Sequence, residues 1–485
     1  MAEFIVPVLA GAIMVGLALW RPGIAIMALG LFLFVQSALV RLGGLPLPLR
    51  MTMARADEIV LAALVVRTTG QWLILRTPSL PKPLWAMLAF GVIGLLSAVV
   101  NRVGPLEAAV GIFLATKAGL WLYVGCNLKV DAQAVARYAY LVGALFIGVI
   151  AVATLQFLGV ALPWKPEVRA GVIAANSIWN QHTAFGGALT VAVGLSVAAF
   201  RLPGERVSAT ILAVSSAGGI LLSTARRLFV SLAVAAMAMF FALPSSARAR
   251  IRSSLQIVRR PAFLVVVIAA LGLATVAIGP RIANLAELTW QRYVVELTQR
   301  DRYRLYEGAF RLVERSPLLG RGPATYGSYA SVVFDSPAYQ EVGFRRRNPS
   351  MVVGGQLGSM IAEYGVLGVL AFASFVALLV RALLPISRGA SGTIHAALAT
   401  AGIFMVADLV VEAVVNPVFS NSFITFFTFV GIGVALTLDA SSERMGHVEL
   451  WHSDLISARW RVGTLVAAFL LLAALGTIAS IAVHG

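Results

Sequence analysis

The sequence predicts an all-α, polytopic membrane protein of about 12–14 transmembrane helices that carries a partly helical insertion. Three observations lead there. Of the 485 residues, 59% are hydrophobic and only 12% charged, where a soluble domain averages about 25% charged; the mean hydropathy is +0.89. The apolar residues gather in runs near the roughly 20 residues that a membrane helix needs, not in the ten-residue alternating segments of a barrel. One long polar stretch, 281–349, interrupts that pattern.

Taken in order, the apolar runs fall at 5–20, 23–40, 57–75, 83–101, 105–127, 136–160, 183–200, 207–224, 228–244, 262–279, 351–381, 394–415, 420–438 and 460–482. The opening run has no basic n-region or evident cleavage site, so it reads as a retained span. The first two runs are short and divided only by Arg21-Pro22-Gly23, as a tight hairpin or an interrupted element would be. The single cysteine, Cys126, excludes an internal disulfide and a cysteine metal cluster. Net charge is +17, but most charges lie in short loops between apolar runs. That distribution fits membrane orientation and anionic lipid, and no nucleic-acid partner is expected.

Orientation follows from the basic loops. Segment 245–261 carries Arg248, Arg250, Arg252, Arg259 and Arg260 with no acid, which marks it as cytoplasmic. Loops 201–206, 381–388 and 440–461 belong on the same side. Counting outward puts 161–182, Arg226–Arg227 and 281–349 on the periplasmic face, and an even span count puts both termini there too. The chain divides into membrane helices 1–280, the arginine-rich periplasmic loop 281–349, and C-terminal membrane helices 350–485.

Loop 281–349 holds eleven arginines, seven acids and no lysine. Arginine's planar fork favours bidentate recognition of phosphate or carboxylate. Within it, Leu305, Ala309, Leu312 and Val313 have helical spacing across Thr289–Arg315, and Ser316–Pro323 reads as a proline/glycine turn. Arg226 and Arg227, at the outer end of a span, could snorkel to lipid head groups or clamp an anionic ligand. Arg302 and Arg304 could line a solvated helix face, with pairs such as Arg304/Glu307 or Arg311/Glu307, or bind that same ligand.

His182, where loop 161–182 enters a span, is a candidate general base or a helix cap. Lys117 and Glu363 are intramembrane ionisable residues and functional candidates for that reason. Asp408 and Glu412, four residues apart, are a further acidic pair that could equally compensate a buried arginine. No HExxH, GxxxxGK[ST] or GxSxG occurs, and no acid pair has metal-ligand spacing. Neither a metal nor a cofactor is expected.

Three segments together resemble the bacterial O-antigen ligase and O-antigen polymerase superfamily of membrane glycosyltransferases. Leu221-Leu222-Ser223-Thr224-Ala225-Arg226-Arg227 is similar to its apolar run ending in Ser-Arg at the head of a span. Arg302-x-x-x-Tyr306, Ala309 and Ser316-Pro317-Leu318-Leu319-Gly320-x-Gly322 look like its Arg-x-x-x-Trp and Pro-Leu-Leu-Gly-x-Gly signature. Leu357 through Ile361-Ala362-Glu363-Tyr364-Gly365-Val366-Leu367-Gly368 is similar to the run opening the span after the large loop. The likeness covers roughly 170–370. Where the ligases place His-Asn, this chain has Gly354-Gly355-Gln356, a departure that favours a polymerase.

The resemblance implies a GT-C-like enzyme of the bacterial inner membrane with its active site facing the periplasm. The donor would be an undecaprenyl-diphosphate-linked glycan and the acceptor a glycan or lipid-linked hydroxyl. Arg226 and Arg302 would hold the diphosphate, with Arg227 and Arg304 second; His182 or Glu363 would be the base. Lys117, Tyr306 and Arg311 are further substrate-binding candidates. A ligase acting on lipid A core, and a transporter or flippase of an anionic lipid-linked glycan, are the competing readings. The second should show related halves and broken helices, and no internal repeat is evident here.

Overall fold

The computed structural model describes residues 2–438 apart from 42–46, 76–79, 161, 163, 165, 170–171, 180, 224, 226, 246–247, 249–300, 345–354, 390–391 and 417. The expected spans at 262–279 and 460–482, Arg226 and most of loop 245–261 lie outside the described residues.

The helices are α1 (Ala2–Trp20), α2 (Pro22–Arg41), α3 (Leu47–Ala54), α4 (Ala56–Leu75), α5 (Lys82–Val100), α6 (Pro105–Cys126) and α7 (Ala132–Phe157). A hairpin of β1 (Glu167–Arg169) and β2 (Val172–Ala174) follows, with Val168 opposite Ile173. Then come α8 (His182–Arg201), α9 (Arg206–Ser223), α10 (Arg227–Ala242), α11 (Asp301–Arg315), α12 (Tyr329–Val333), α13 (Ala338–Glu341), α14 (Gln356–Ser387), α15 (Ile394–Val415) and α16 (Ser422–Thr437).

Among the described residues, eight helices are long and apolar enough to cross a membrane. They are α2, α5, α6, α7, α8, α9, α14 and α15; Pro7–Trp20, α10 and α16 are shorter apolar helices. This is the architecture of a helical multi-pass membrane protein. The β1–β2 hairpin qualifies the all-α expectation, and the break at Arg21 makes α1 and α2 a packed helix pair rather than one interrupted element.

Helix starts follow local chemistry. Pro83 and Pro105 sit in the first turns of α5 and α6, where a missing N–H costs nothing. Asp131, Thr393 and Asn421 cap α7, α15 and α16 by accepting from the backbone N–H groups of Ala134, Ala396 and Ile424. Close helix packing uses small residues, as membrane helices do. A Cβ on Gly125 of α6 would lie 2.7 Å from the Val430 carbonyl oxygen of α16. One on Gly433 would lie 2.6 Å from the Cys126 nitrogen, so the two backbones touch.

The helices run alternately between two ends. At one end Asn101, Leu222, Arg227, Val414 and the insertion come together. At the other, Arg201 donates to the Ser387 carbonyl at 3.0 Å and Pro203 approaches Gly392. These are called the insertion end and the opposite end.

The insertion has a small core of its own, built from Leu305, Ala309, Leu312, Tyr326, Ala338 and Tyr339, closed by Ala362 of α14. Leu305, Ala309 and Leu312 are buried as their spacing predicts, while Val313 is only half-buried. Burial pushes the Tyr339 hydroxyl up to about 12. It therefore stays neutral, accepting from Gly327 N–H at 2.9 Å and sharing a bond with Ser331.

The turn Pro317–Gly322 joins insertion to bundle. It wedges into a kink of α14 at Gly365, whose φ of 62° and ψ of −164° are non-helical. Across the joint, Arg321 and Gly322 N–H donate to the carbonyls of Ala362 and Glu363. Val366 and Leu367 N–H donate to those of Pro317 and Leu318. The groups freed by the kink are satisfied in this way, as a chain at membrane depth requires. Ser97 of α5 adds a 2.6 Å bond to the Leu319 carbonyl, and Asn101 a 3.0 Å bond to that of Gly320.

Candidate functional site

One side chain makes four hydrogen bonds into loop 161–182. Gln156, 1% exposed at the end of α7, donates to the carbonyls of Trp164 and Ser177 at 2.7 and 2.9 Å. It also accepts from Asn176 and Ser177 N–H at 3.2 and 2.8 Å. Trp179 stacks on Phe185 and packs edge-on to Phe423. His182, buried at the first turn of α8, follows this anchor directly. Replacing Gln156 with Leu leaves buried backbone groups unsatisfied, and is expected to lower stability by about 3 kcal/mol. Thermal unfolding in detergent reads it.

One turn below His182, Gly186 lets α8 approach the entrance of α10. A Cβ there would lie 2.6 Å from Leu228 and 3.1 Å from Ala225. Arg227, first residue of α10, ion-pairs through Nε with Glu412 of α15 at 2.9 Å. It also donates to the Asn416 side-chain oxygen at 2.6 Å, and Asn416 donates to Glu412 at 2.6 Å. The triangle closes the seam between α10 and α15. One turn deeper, the Asp408 carboxylate meets the hydroxyls of Ser231 and Thr190.

The acid pair Asp408/Glu412 thus has its arginine, and the arginine is Arg227. Removing Glu412 alone takes the paired carboxylate from that guanidinium in a largely buried seam. Glu412→Ala is expected to cost about 3–5 kcal/mol. The Arg227→Met/Glu412→Leu pair, carrying no charge, should cost much less, and thermal unfolding compares them.

The insertion reaches the same rim. The Tyr306 hydroxyl of α11 donates to the Val414 carbonyl at the end of α15, and Gln356 N–H, opening α14, donates to the Asn416 carbonyl at 3.1 Å. Arg302 lies one turn before Tyr306 on the same stripe of α11. Arg304 does not: at 100° per residue it stands about 160° around the helix from Arg302, on the exposed side. Arg302 and Arg304 therefore start from different faces of α11.

Arg311, on that same exposed side, pairs with Glu307 at 2.6 Å. Arg315 and Arg321 both pair with Glu341, at 3.1 and 2.6 Å. Part of the arginine richness of the loop is thus local ion pairing on its outer surface, where each pair contributes little.

Two candidates stand elsewhere. Glu363, 2% exposed, accepts from Tyr326 N–H at 3.0 Å and from the Ser328 hydroxyl at 2.6 Å. Its carboxylate is engaged in holding the insertion down. Lys117, fully buried, ion-pairs with Asp57 and lies 3.6 Å from Glu58. It donates to Ser422 at 2.9 Å, tying α4, α6 and α16 together.

The structure thus brings His182, Arg227 and Tyr306 to one rim, and leaves Arg304, Arg311, Glu363 and Lys117 off it; the Arg302 side chain lies outside the described residues. Sequence reasoning missed Asn416 and Gln156; both are polar residues at the ends of apolar runs, a signal too common to single them out. Among the described residues no three histidine, cysteine or acidic side chains cluster as a metal-ligand set. Neither the protein-family models nor the curated proteins contain a match to this chain.

Proposed function

We propose that the chain is a metal-independent, GT-C-like glycosyltransferase that extends lipid-linked glycans at the insertion end, read as the periplasmic face of a bacterial inner membrane. The observation that carries this reading is convergence. Arg227, beside Arg226 in sequence, and Tyr306 of the Arg302-x-x-x-Tyr306 motif both reach the end of α15, through Glu412 and Asn416 and through the Val414 carbonyl.

The substrate class follows from those groups. A diphosphate on a polyprenyl carrier lies at the membrane surface, where a rim of guanidinium groups can reach it. The Arg227 charge is already balanced by Glu412, so Arg227 acts as a positioning residue. Arg226, immediately before it, and Arg302 are the cations assigned to the diphosphate.

In the transfer, an acceptor-sugar hydroxyl attacks the anomeric carbon while the bond from that carbon to the diphosphate oxygen breaks. The hydroxyl proton passes to His182, the base candidate on this rim. The bonding electrons leave on the diphosphate, where arginine donors stabilise the growing negative charge.

The test incubates purified protein with a synthetic undecaprenyl-diphosphate oligosaccharide and EDTA, and reads products by mass spectrometry. A ladder of longer lipid-linked glycans supports the polymerase reading. Product appearing only when lipid A core is added makes it a ligase. Donor bound but never consumed, with acceptors present, overturns transfer in favour of transport.

A further inference from the structure

At the opposite end of the bundle lies a cavity of about 140 Å³. It is enclosed by α2, α7, α8, α15, α16 and the α6–α7 link. Its lining is apolar except for Tyr138 and Thr428. The Tyr138 hydroxyl is already used, donating to the Met27 carbonyl at 3.2 Å. Thr428 Oγ1 is buried without a hydrogen-bond partner among the described residues.

An apolar space of this size does not hold water, and a similar engineered cavity takes up apolar molecules instead. Here the surrounding solvent is lipid. Two lining glycines, Gly23 and Gly431, have nothing within 4 Å of where a Cβ would stand. Their small size therefore serves no packing contact within the protein, unlike that of Gly125 or Gly433. What it leaves is room.

The rim adds charge. Arg21 stands two residues before Gly23, Lys129 lies between the lining residues Leu128 and Val130, and Arg137 flanks Tyr138; all three are exposed. Asp131, also in the α6–α7 link, is exposed but spends an oxygen on the α7 cap. An apolar space under a cationic rim at a membrane surface matches one common molecule class.

We propose that this cavity takes a segment of an acyl chain of an anionic phospholipid from the leaflet opposite the insertion, with Arg21 and Lys129 at its phosphate. The site is separate from the arginine rim and independent of the proposed transfer.

The test uses the full chain, delipidated in mild detergent and titrated with phosphatidylglycerol, with phosphatidylcholine of the same tails, or with undecaprenyl phosphate. Phosphatidylglycerol is expected to raise the unfolding midpoint by about 3 °C and to leave one retained lipid by native mass spectrometry. Gly431→Phe fills the space and abolishes the effect; Arg21→Gln/Lys129→Gln reduces it to that of phosphatidylcholine. Should Gly431→Phe not fold, Gly23→Leu repeats the test from the other open glycine. An undiminished phosphatidylglycerol effect in the filled variant overturns the proposal. So does an equal effect of phosphatidylcholine on the wild-type chain. Stabilisation by undecaprenyl phosphate alone overturns it too, and assigns the space to a carrier tail.

Discussion

Arg302→Ala and Arg226→Ala are each expected to reduce glycan extension by about 10²–10³-fold, with the protein still folded. That is the scale on which removing one donor from a developing negative charge slows a reaction. Arg304→Ala should leave activity within about twofold, because Arg304 lies across α11 from the rim. The contrast tests the geometry more sharply than either loss alone. Both arginines belong to the same short motif, and only the helical face separates them. Lipid-linked glycan length by mass spectrometry reads the activity, and an unchanged unfolding midpoint excludes misfolding as the cause. Equal losses at Arg302 and Arg304 would sink the assignment.

Gly365→Ala is expected to destabilise the protein by at least about 3 kcal/mol and to release the insertion. Gly365 combines φ 62° with ψ −164°, a region open essentially to glycine alone. Its added Cβ would also stand 2.6 Å from the Gly320 nitrogen and from the Leu318 carbonyl carbon. Those atoms are backbone, held by four hydrogen bonds across the joint, and cannot step aside. Gly218→Ala is the control: it lies in α9 with nothing near the new methyl group and should be neutral or mildly stabilising. Limited trypsin digestion reads the release. The exposed Arg304 and Arg311 should be cut much faster in Gly365→Ala than in the parent or the control.

The joint also brings together two segments that the sequence alone presents separately. Pro317–Gly322 and Glu363–Gly365 are partners in one structural contact. Each glycine is required by the backbone facing it, Gly320 by Gly365 and Gly365 by Gly320. Glu363 belongs to the same device, since its carboxylate receives the Tyr326 N–H and the Ser328 hydroxyl. An ionisable residue inside an apolar run marks a buried polar contact; it does not say whether a substrate or the protein provides the other half. Lys117 carries the same lesson, its partner being Asp57 from a helix some sixty residues earlier in the chain.

Much was legible from the sequence alone. Apolar run length located every described membrane helix, because hydrocarbon thickness sets the length that a span must have. The α11 face was readable too, since Leu305, Ala309 and Leu312 recur at helical spacing. The arginine positions, and the pairing of Asp408/Glu412 with some arginine, were also within reach of charge arithmetic. Only the tertiary structure decided which arginine that is, and which of the rest share a rim. It tied Arg227 to Glu412 and Asn416, and gave Glu363 and Lys117 internal partners. The reason is physical: run length and periodicity are properties of one segment in its solvent, whereas an ion pair depends on which helix ends meet. Packing of small residues such as Gly125, Gly186 and Gly433 sets those meetings, and no single segment encodes its partner.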